Sequence, residues 1–267
     1  MADIKKLYLD STIESSVPLE YLEDKFLKGK LADENIKLIT PRMILSHSSG
    51  LPNWRNPGEP IKTLFTPGNK YSYSGEGYFL LQLMIEYIMK DPIEKIMQDF
   101  VFTPLSMPHS TYLFKDSGNY TSTYGNDSKA IPLHTDEPAN VAHTFKTNAA
   151  DYARFIIAIQ TGKGLKKATL SDMLKPQVAT DICQPGKVSW GLGFAIQHTQ
   201  NGNAYFQWGK SPNASGYFIS FNDSKNAVVY FTNIANQGLR IGEKLVQETL
   251  DYQDPLLGCF GVKQYNK

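Results

Sequence analysis

The sequence predicts an α+β fold in which an antiparallel sheet is packed by helices and accompanied by a largely helical lobe. Three observations predict it: helical punctuation over about residues 1–186, period-two segments separated by turn signals over about 187–267, and one amphipathic helix at the end. That order of helices, strands and a last helix argues against a doubly wound α/β sheet. A chain of 267 residues is long enough to bury a sizeable core as one domain.

The first well-marked helix opens at Thr40-Pro41, an N-cap residue followed by proline at the first helical position, and Gly50 is expected to close it. A second is expected from about Gly77 to Lys90, apolar at Leu80, Leu81, Met84, Ile85 and Ile88, stopping before Pro92. Its apolar face is too wide for a surface helix. A third has Asn148 as cap and Asp151 in its first turn, with Tyr152, Phe155, Ile156 and Ile159 on one face and Gly162 at its end.

Beyond Lys187 the period changes. Val188 to His198 and Ala204 to Trp208 flank Asn201-Gly202, a strong hairpin signal, and Tyr217 to Phe221 and Ala227 to Phe231 flank Asn222 to Lys225. This predicts an antiparallel meander. The last helix carries Ile241, Leu245, Val246 and Leu250 on one face and is expected to cover the sheet. The only linker-like composition runs from Asp116 to Lys129, rich in Gly, Asn, Ser and Asp.

Composition narrows the function classes. Lys and Arg number 27 against 26 for Asp and Glu, a formal charge of +1, so no global field draws the protein to nucleic acid or an anionic membrane. The most apolar stretch, Tyr78 to Met89, contains Gln82 and Glu86 and falls short of a membrane span. The opening residues lack the apolar run of a signal peptide, so the chain as numbered is expected to stay in the cytoplasm, and a longer precursor with a signal would be periplasmic or secreted. Cys183 and Cys259, far apart in sequence, exclude a disulfide framework and argue against a cysteine metal site. His47, His109, His134, His143 and His198 show no metal-ligand spacing, and no cofactor is expected. Gly209-Lys210-Ser211 is no phosphate loop, because Ala204 stands where the loop's first glycine belongs. No Gly-x-Ser-x-Gly elbow occurs either.

Three strings carry more than any one motif: Leu45-Ser46-His47-Ser48-Ser49-Gly50-Leu51-Pro52, then Phe65 to Tyr78 with Tyr73-Ser74-Gly75 inside it, then Phe206-Gln207-Trp208-Gly209. In this order they resemble the β-lactamase-related serine hydrolases, the family of class C β-lactamases, D-alanyl-D-alanine carboxypeptidases and related esterases. Pro104-Leu105-Ser106-Met107 and Asp151-Tyr152-Ala153-Arg154-Phe155 add weaker likenesses. The resemblance implies a β-lactamase/transpeptidase-like fold and acyl-enzyme chemistry on a small ester, amide or β-lactam.

It also implies a site of three elements. Tyr73 corresponds to the family's general base or proton relay, and a free phenol near pKa ~10 needs cations beside it to accept a proton near neutrality. Gly75 stands where the family's Tyr-x-Asn carries asparagine, which removes a substrate-binding amide. Gln207, Trp208 and Gly209 correspond to the Lys-Thr-Gly or His-x-Gly strand edge, with the Lys210 N–H as an oxyanion donor. Gln207 brings no positive charge, which disfavours carboxylate substrates and favours neutral esters or amides.

The remaining element, a Ser-x-x-Lys nucleophile, occurs nowhere in the chain. The segment Ala2 to Asp10 resembles the exit of the family's nucleophile helix, so the expectation is an N-terminally truncated member, inactive as numbered, with an upstream fragment carrying Ser-x-x-Lys as a conceivable partner. The alternative is a non-catalytic binding or interaction module that keeps the fold.

Overall fold

In the computed structural model, residues 7–114, 120–125, 127–132, 137–234, 236–252, 254 and 256–262 are described. Residues 2–6 of the expected helix exit, 116–119 and 126 of the linker-like stretch, and His134 lie outside them. The helical part contains α1 (Leu19–Leu22), α2 (Pro41–Leu45), α3 (Gly75–Met89) and α4 (Ile93–Met97). After the two-residue strands β1 (Thr123–Tyr124) and β2 (Ala130–Ile131) come α5 (Ala149–Thr161) and α6 (Lys167–Leu174). The main sheet is antiparallel with strands in chain order: β3 (Val178–Ala179), β4 (Val188–Trp190), β5 (Ala195–Thr199), β6 (Gly202–Lys210), β7 (Ser215–Phe221) and β8 (Asn226–Thr232). Helix α7 (Gly242–Leu250) follows.

Local capping sets the helices. Thr40, Ser74 and Asn148 accept the N–H groups of Met43, Gly77 and Asp151, satisfying donors that the first turn leaves free. Helix α2 is shorter than its expected stop at Gly50. The Ser46 hydroxyl donates back to the Arg42 carbonyl at 2.8 Å, and His47 turns left-handed at φ 55°, which ends the helix at Leu45 with Ser46 as its C-cap. Helix α3 begins two residues earlier than expected, because Ser74 provides the cap.

The expected strand Val188 to His198 is broken in two. Gly191 to Phe194 form a tight turn closed by Gly191 N–H to the Phe194 carbonyl at 2.8 Å, with Gly193 at φ 93°. A Cβ on Gly191 would stand 2.5 Å from the Met173 carbonyl oxygen, so helix α6 lies too close for any other residue there.

Register divides the sheet into two faces. Trp190, Ala195, Phe206, Ile219 and Val228 share one face and pack with Val246 of α7 and with Leu256 and Leu257. Phe218 on the other face packs with Ile156 of α5 and Leu174 of α6. A separate core in the helical part surrounds Leu80 and Met84 of α3 with Ile13, Phe26, Ile39 and Ile44.

One expectation is corrected. Cys183 and Cys259, expected from their distance in sequence to exclude a disulfide framework, form a disulfide with Cα atoms 5.1 Å apart, tying the 180–186 loop to the terminal 3-10 turn Leu257–Phe260. Folding supplies the proximity that a sequence separation of 76 hides. Closing so long a loop restricts the unfolded chain, so Cys183→Ser is expected to cost about 2 to 4 kcal/mol, read as a lower urea midpoint that dithiothreitol reproduces in the parent protein. Equal midpoints with and without reductant would refute the linkage.

Candidate active site

The candidate site forms where the 46–55 loop meets the start of α3 and the end of β6. Ser72 N–H donates to the His47 carbonyl at 2.8 Å, Ser74 N–H to His47 Nδ1 at 3.0 Å, and the Ser74 hydroxyl to the Pro52 carbonyl at 2.8 Å. Asn53 accepts from Gly75 N–H through its side chain and from Glu76 N–H through its carbonyl, each at 3.0 Å. Arg55 then clamps Glu76, with Nη2 to Oε2 at 2.7 Å and Nε to Oε1 at 2.9 Å, while its Nη1 donates to the Phe26 carbonyl. The two segments are thereby zipped together behind Tyr73.

His47 is the floor of this arrangement. Its ring, 2% exposed, lies 4.1 Å from the ring of Tyr73, 4.8 Å from Trp190 and 5.1 Å from Tyr78, centre to centre. Burial lowers its pKa to about 3, and Nδ1 acts as an acceptor, so the imidazole is neutral and holds Tyr73 and Ser74 in place. Tyr73 keeps an open side, and its hydroxyl accepts a hydrogen bond from Gln207 Nε2 at 3.3 Å. The surrounding protein raises the phenol's pKa by desolvation, which the Gln207 amide offsets in part. Tyr73 is therefore a phenol at neutral pH.

The structure brings Tyr73 and Gln207 together although 134 positions separate them. Gly209 follows on the same face of β6, and nothing lies within 4 Å of where its Cβ would be. Strand β5 pairs with β6 only as far as Phe206, which leaves 207–210 unpaired along that edge. Ser211 N–H turns to the Ala214 carbonyl on the β7 side, so by alternation the Lys210 N–H faces the open edge. The Lys210 side chain is exposed. Trp208 is not brought to this cleft: it points to the opposite face of the sheet, where its ring packs edge-on against Phe260 at 5.5 Å.

Gly75 has a neighbour that sequence reasoning missed. A Cβ there would stand 2.7 and 2.9 Å from two ring carbons of Trp54, so the indole occupies the space into which an asparagine side chain would grow. Trp54 is 48% exposed and meets His143 edge-on at 5.9 Å. Trp54 follows the quoted Leu45 to Pro52 string by two residues, the one signal that could have drawn attention to it. Chemically, the cleft offers a phenol, an amide, an open strand edge and an indole wall. Among the described residues no group of three His, Cys, Asp or Glu could hold a metal, and no helix is long and apolar enough to cross a membrane.

A model of the beta-lactamase family matches residues 1–250 of this chain. Among solved structures, a class C beta-lactamase superposes with a TM-score of 0.74 at 16% identity, covering 95% of this chain and 78% of that one. A D-stereospecific amidohydrolase from Streptomyces sp. gives 0.69 at 18%, covering 94% and 82%. EstCE1, a hydrolase with promiscuous acyltransferase activity, gives 0.70 at 18%, covering 89% and 76%. At such identities the likeness to these structures is one of fold.

Proposed function

The chain belongs to the beta-lactamase family, and from that premise we propose that its cleft selects a neutral ester or amide and, in this chain, binds it without forming an acyl-enzyme. The observation that carries the reading is the Tyr73–Gln207 contact at 3.3 Å: an uncharged amide faces the phenol where a β-lactam or D-alanyl peptide needs a cation for its carboxylate. An ester or amide carbonyl would lie along the 207–210 edge within reach of the Lys210 N–H, with Tyr73 beside it. In a member supplying Ser-x-x-Lys, serine would attack that carbonyl, the Lys and Tyr pair would pass its proton to the leaving group, and water would release the acyl group.

The absence of Ser-x-x-Lys from all 267 residues supports the binding role. Another serine does meet an imidazole: Ser189 Oγ lies 2.9 Å from His198 Nε2, whose Nδ1 faces Asn203 Oδ1 at 2.9 Å. Ser189 is nonetheless only 5% exposed, on a sheet face packed by α5 and α6, so an acylating agent has no approach. Fluorophosphonate and penicillin are therefore expected to leave the intact mass unchanged, and stoichiometric acylation of any serine would overturn the non-catalytic part of the reading.

Substrate preference has its own test. Gln207→Lys is expected to tighten benzylpenicillin binding by at least ~10-fold in calorimetry, because a charge-assisted hydrogen bond replaces none. N-methylacetamide, which carries no carboxylate, should gain nothing from the substitution. Unchanged penicillin affinity would mean that the carboxylate is held elsewhere and that Gln207 sets no preference.

A further inference from the structure

A cavity of about 520 Å³ runs along α3, away from Tyr73. Phe79, Gln82 and Glu86 line it, and with Gly75 they form a single stripe at helical spacing of four, three and four residues. Its other walls come from Ile93 at the start of α4, from Leu113, and from Pro138 and Ala139. His143 lines the cavity and also touches Trp54, which itself lies over Gly75. The indole thus stands between Gly75, beside Tyr73, and this groove, whose lining on α3 spans seven residue steps from Phe79 to Glu86, ~10 Å.

The walls are held in place. Gln82 donates to the Ala139 carbonyl at 2.9 Å and accepts from Val141 N–H at 3.0 Å, pinning the far wall to α3. Glu86 accepts from Ile93 N–H at 2.8 Å, and Glu94 from Tyr112 N–H at 2.7 Å. Glu137 faces His143 Nε2 at 3.1 Å. Among the described residues no lysine or arginine lines the cavity, and three carboxylates do, which disfavours an anionic ligand while the apolar walls favour hydrocarbon.

We propose that this groove binds a linear, uncharged acyl chain whose ester or amide head sits at Tyr73 and Gln207, with Trp54 as the wall that turns the chain into it. The inference rests on the neutral-carbonyl reading of the Tyr73 cleft and adds the acyl group that the cleft selects.

The test is binding, by calorimetry, of N-methyloctanamide, N-methylacetamide and octanoate. Each buried methylene contributes roughly fourfold, so even half of the added chain buried makes the octanamide ~50-fold tighter than the acetamide. Octanoate is expected to bind at least ~10-fold more weakly than the octanamide. Ala139→Phe, which fills the groove, and Leu113→Glu, which charges its wall, should each lose at least ~10-fold for the octanamide and nothing for the acetamide. The indole emission should shift to the blue on binding, and Trp54→Phe should abolish that shift, since Trp190 is already buried and Trp208 packs against Phe260 on the opposite face of the sheet. The two wall variants are independent, so either one that folds decides the matter.

Octanamide affinity insensitive to chain length or to a folded wall variant overturns the proposal, and octanoate binding as tightly as the octanamide overturns its uncharged character. Gln207→Ala separates the two readings. Loss in the wall variants but not in Gln207→Ala leaves the groove standing and removes the head-group site, loss in Gln207→Ala alone does the reverse, and no binding by any probe removes both.

Discussion

Arg55→Met is expected to destabilise the protein by about 3 to 5 kcal/mol, because it leaves the Glu76 carboxylate buried without its cation. Glu76 is 5% exposed, and Arg55 gives it two side-chain hydrogen bonds and one backbone bond. The same arginine lies 4.7 Å over the ring of Phe26, so the substitution also removes a cation–π contact. The double variant Arg55→Met, Glu76→Leu should recover most of the loss, since the desolvation of an unpaired charge is what costs. Urea unfolding of the two variants checks both statements. A loss under 1 kcal/mol in the single variant would mean that water reaches Glu76 and that the clamp contributes little. The clamp matters for function because it fixes the Asn53-Trp54 segment against the start of α3, and with it the wall of the cleft.

What could be read from the sequence was local. Thr40 and Asn148 cap helices through bonds to residues three positions on, and such signals survive in a bare string, whereas sequence reasoning missed the equivalent cap at Ser74. Asn201-Gly202 marked its hairpin for the same reason, since Gly202 sits at φ 100°. The break at Gly191 was hidden because its cause, the Met173 carbonyl, comes from another element. The disulfide was hidden likewise.

The site was legible in a different way. Tyr73 and Gln207 were picked out by resemblance in two separate strings, and only the fold puts them 3.3 Å apart. The opposite placement of Trp208 was available from strand alternation, because adjacent residues of β6 cannot both face the cleft. Gly75 was read as a loss of an amide, whereas the structure shows that the vacated volume is filled by Trp54. A glycine records that a side chain is absent and says nothing of what replaces it.

His47 makes the remaining large effect a matter of pH. Its pKa is about 3 in the folded protein, against ~6.5 for an unperturbed imidazole, so the unfolded chain binds the extra proton throughout the interval between them. A folded pKa below the unfolded one means that this contribution is fully present above pH ~6.5 and is lost as pH falls toward ~3. At ~1.36 kcal/mol per unit, about 2 kcal/mol should be lost by pH 5 and about 4 kcal/mol by pH 3. His47→Asn tolerates the left-handed backbone and does not titrate, so its stability should fall less over the same range. The measurement is urea unfolding of both proteins at pH 7 and pH 5, where taking the difference between them cancels the titration of the shared carboxylates. A parent protein that loses no more than the variant would show that the imidazole beneath Tyr73 titrates freely, and the account of it as a neutral, buried support for the phenol would fail.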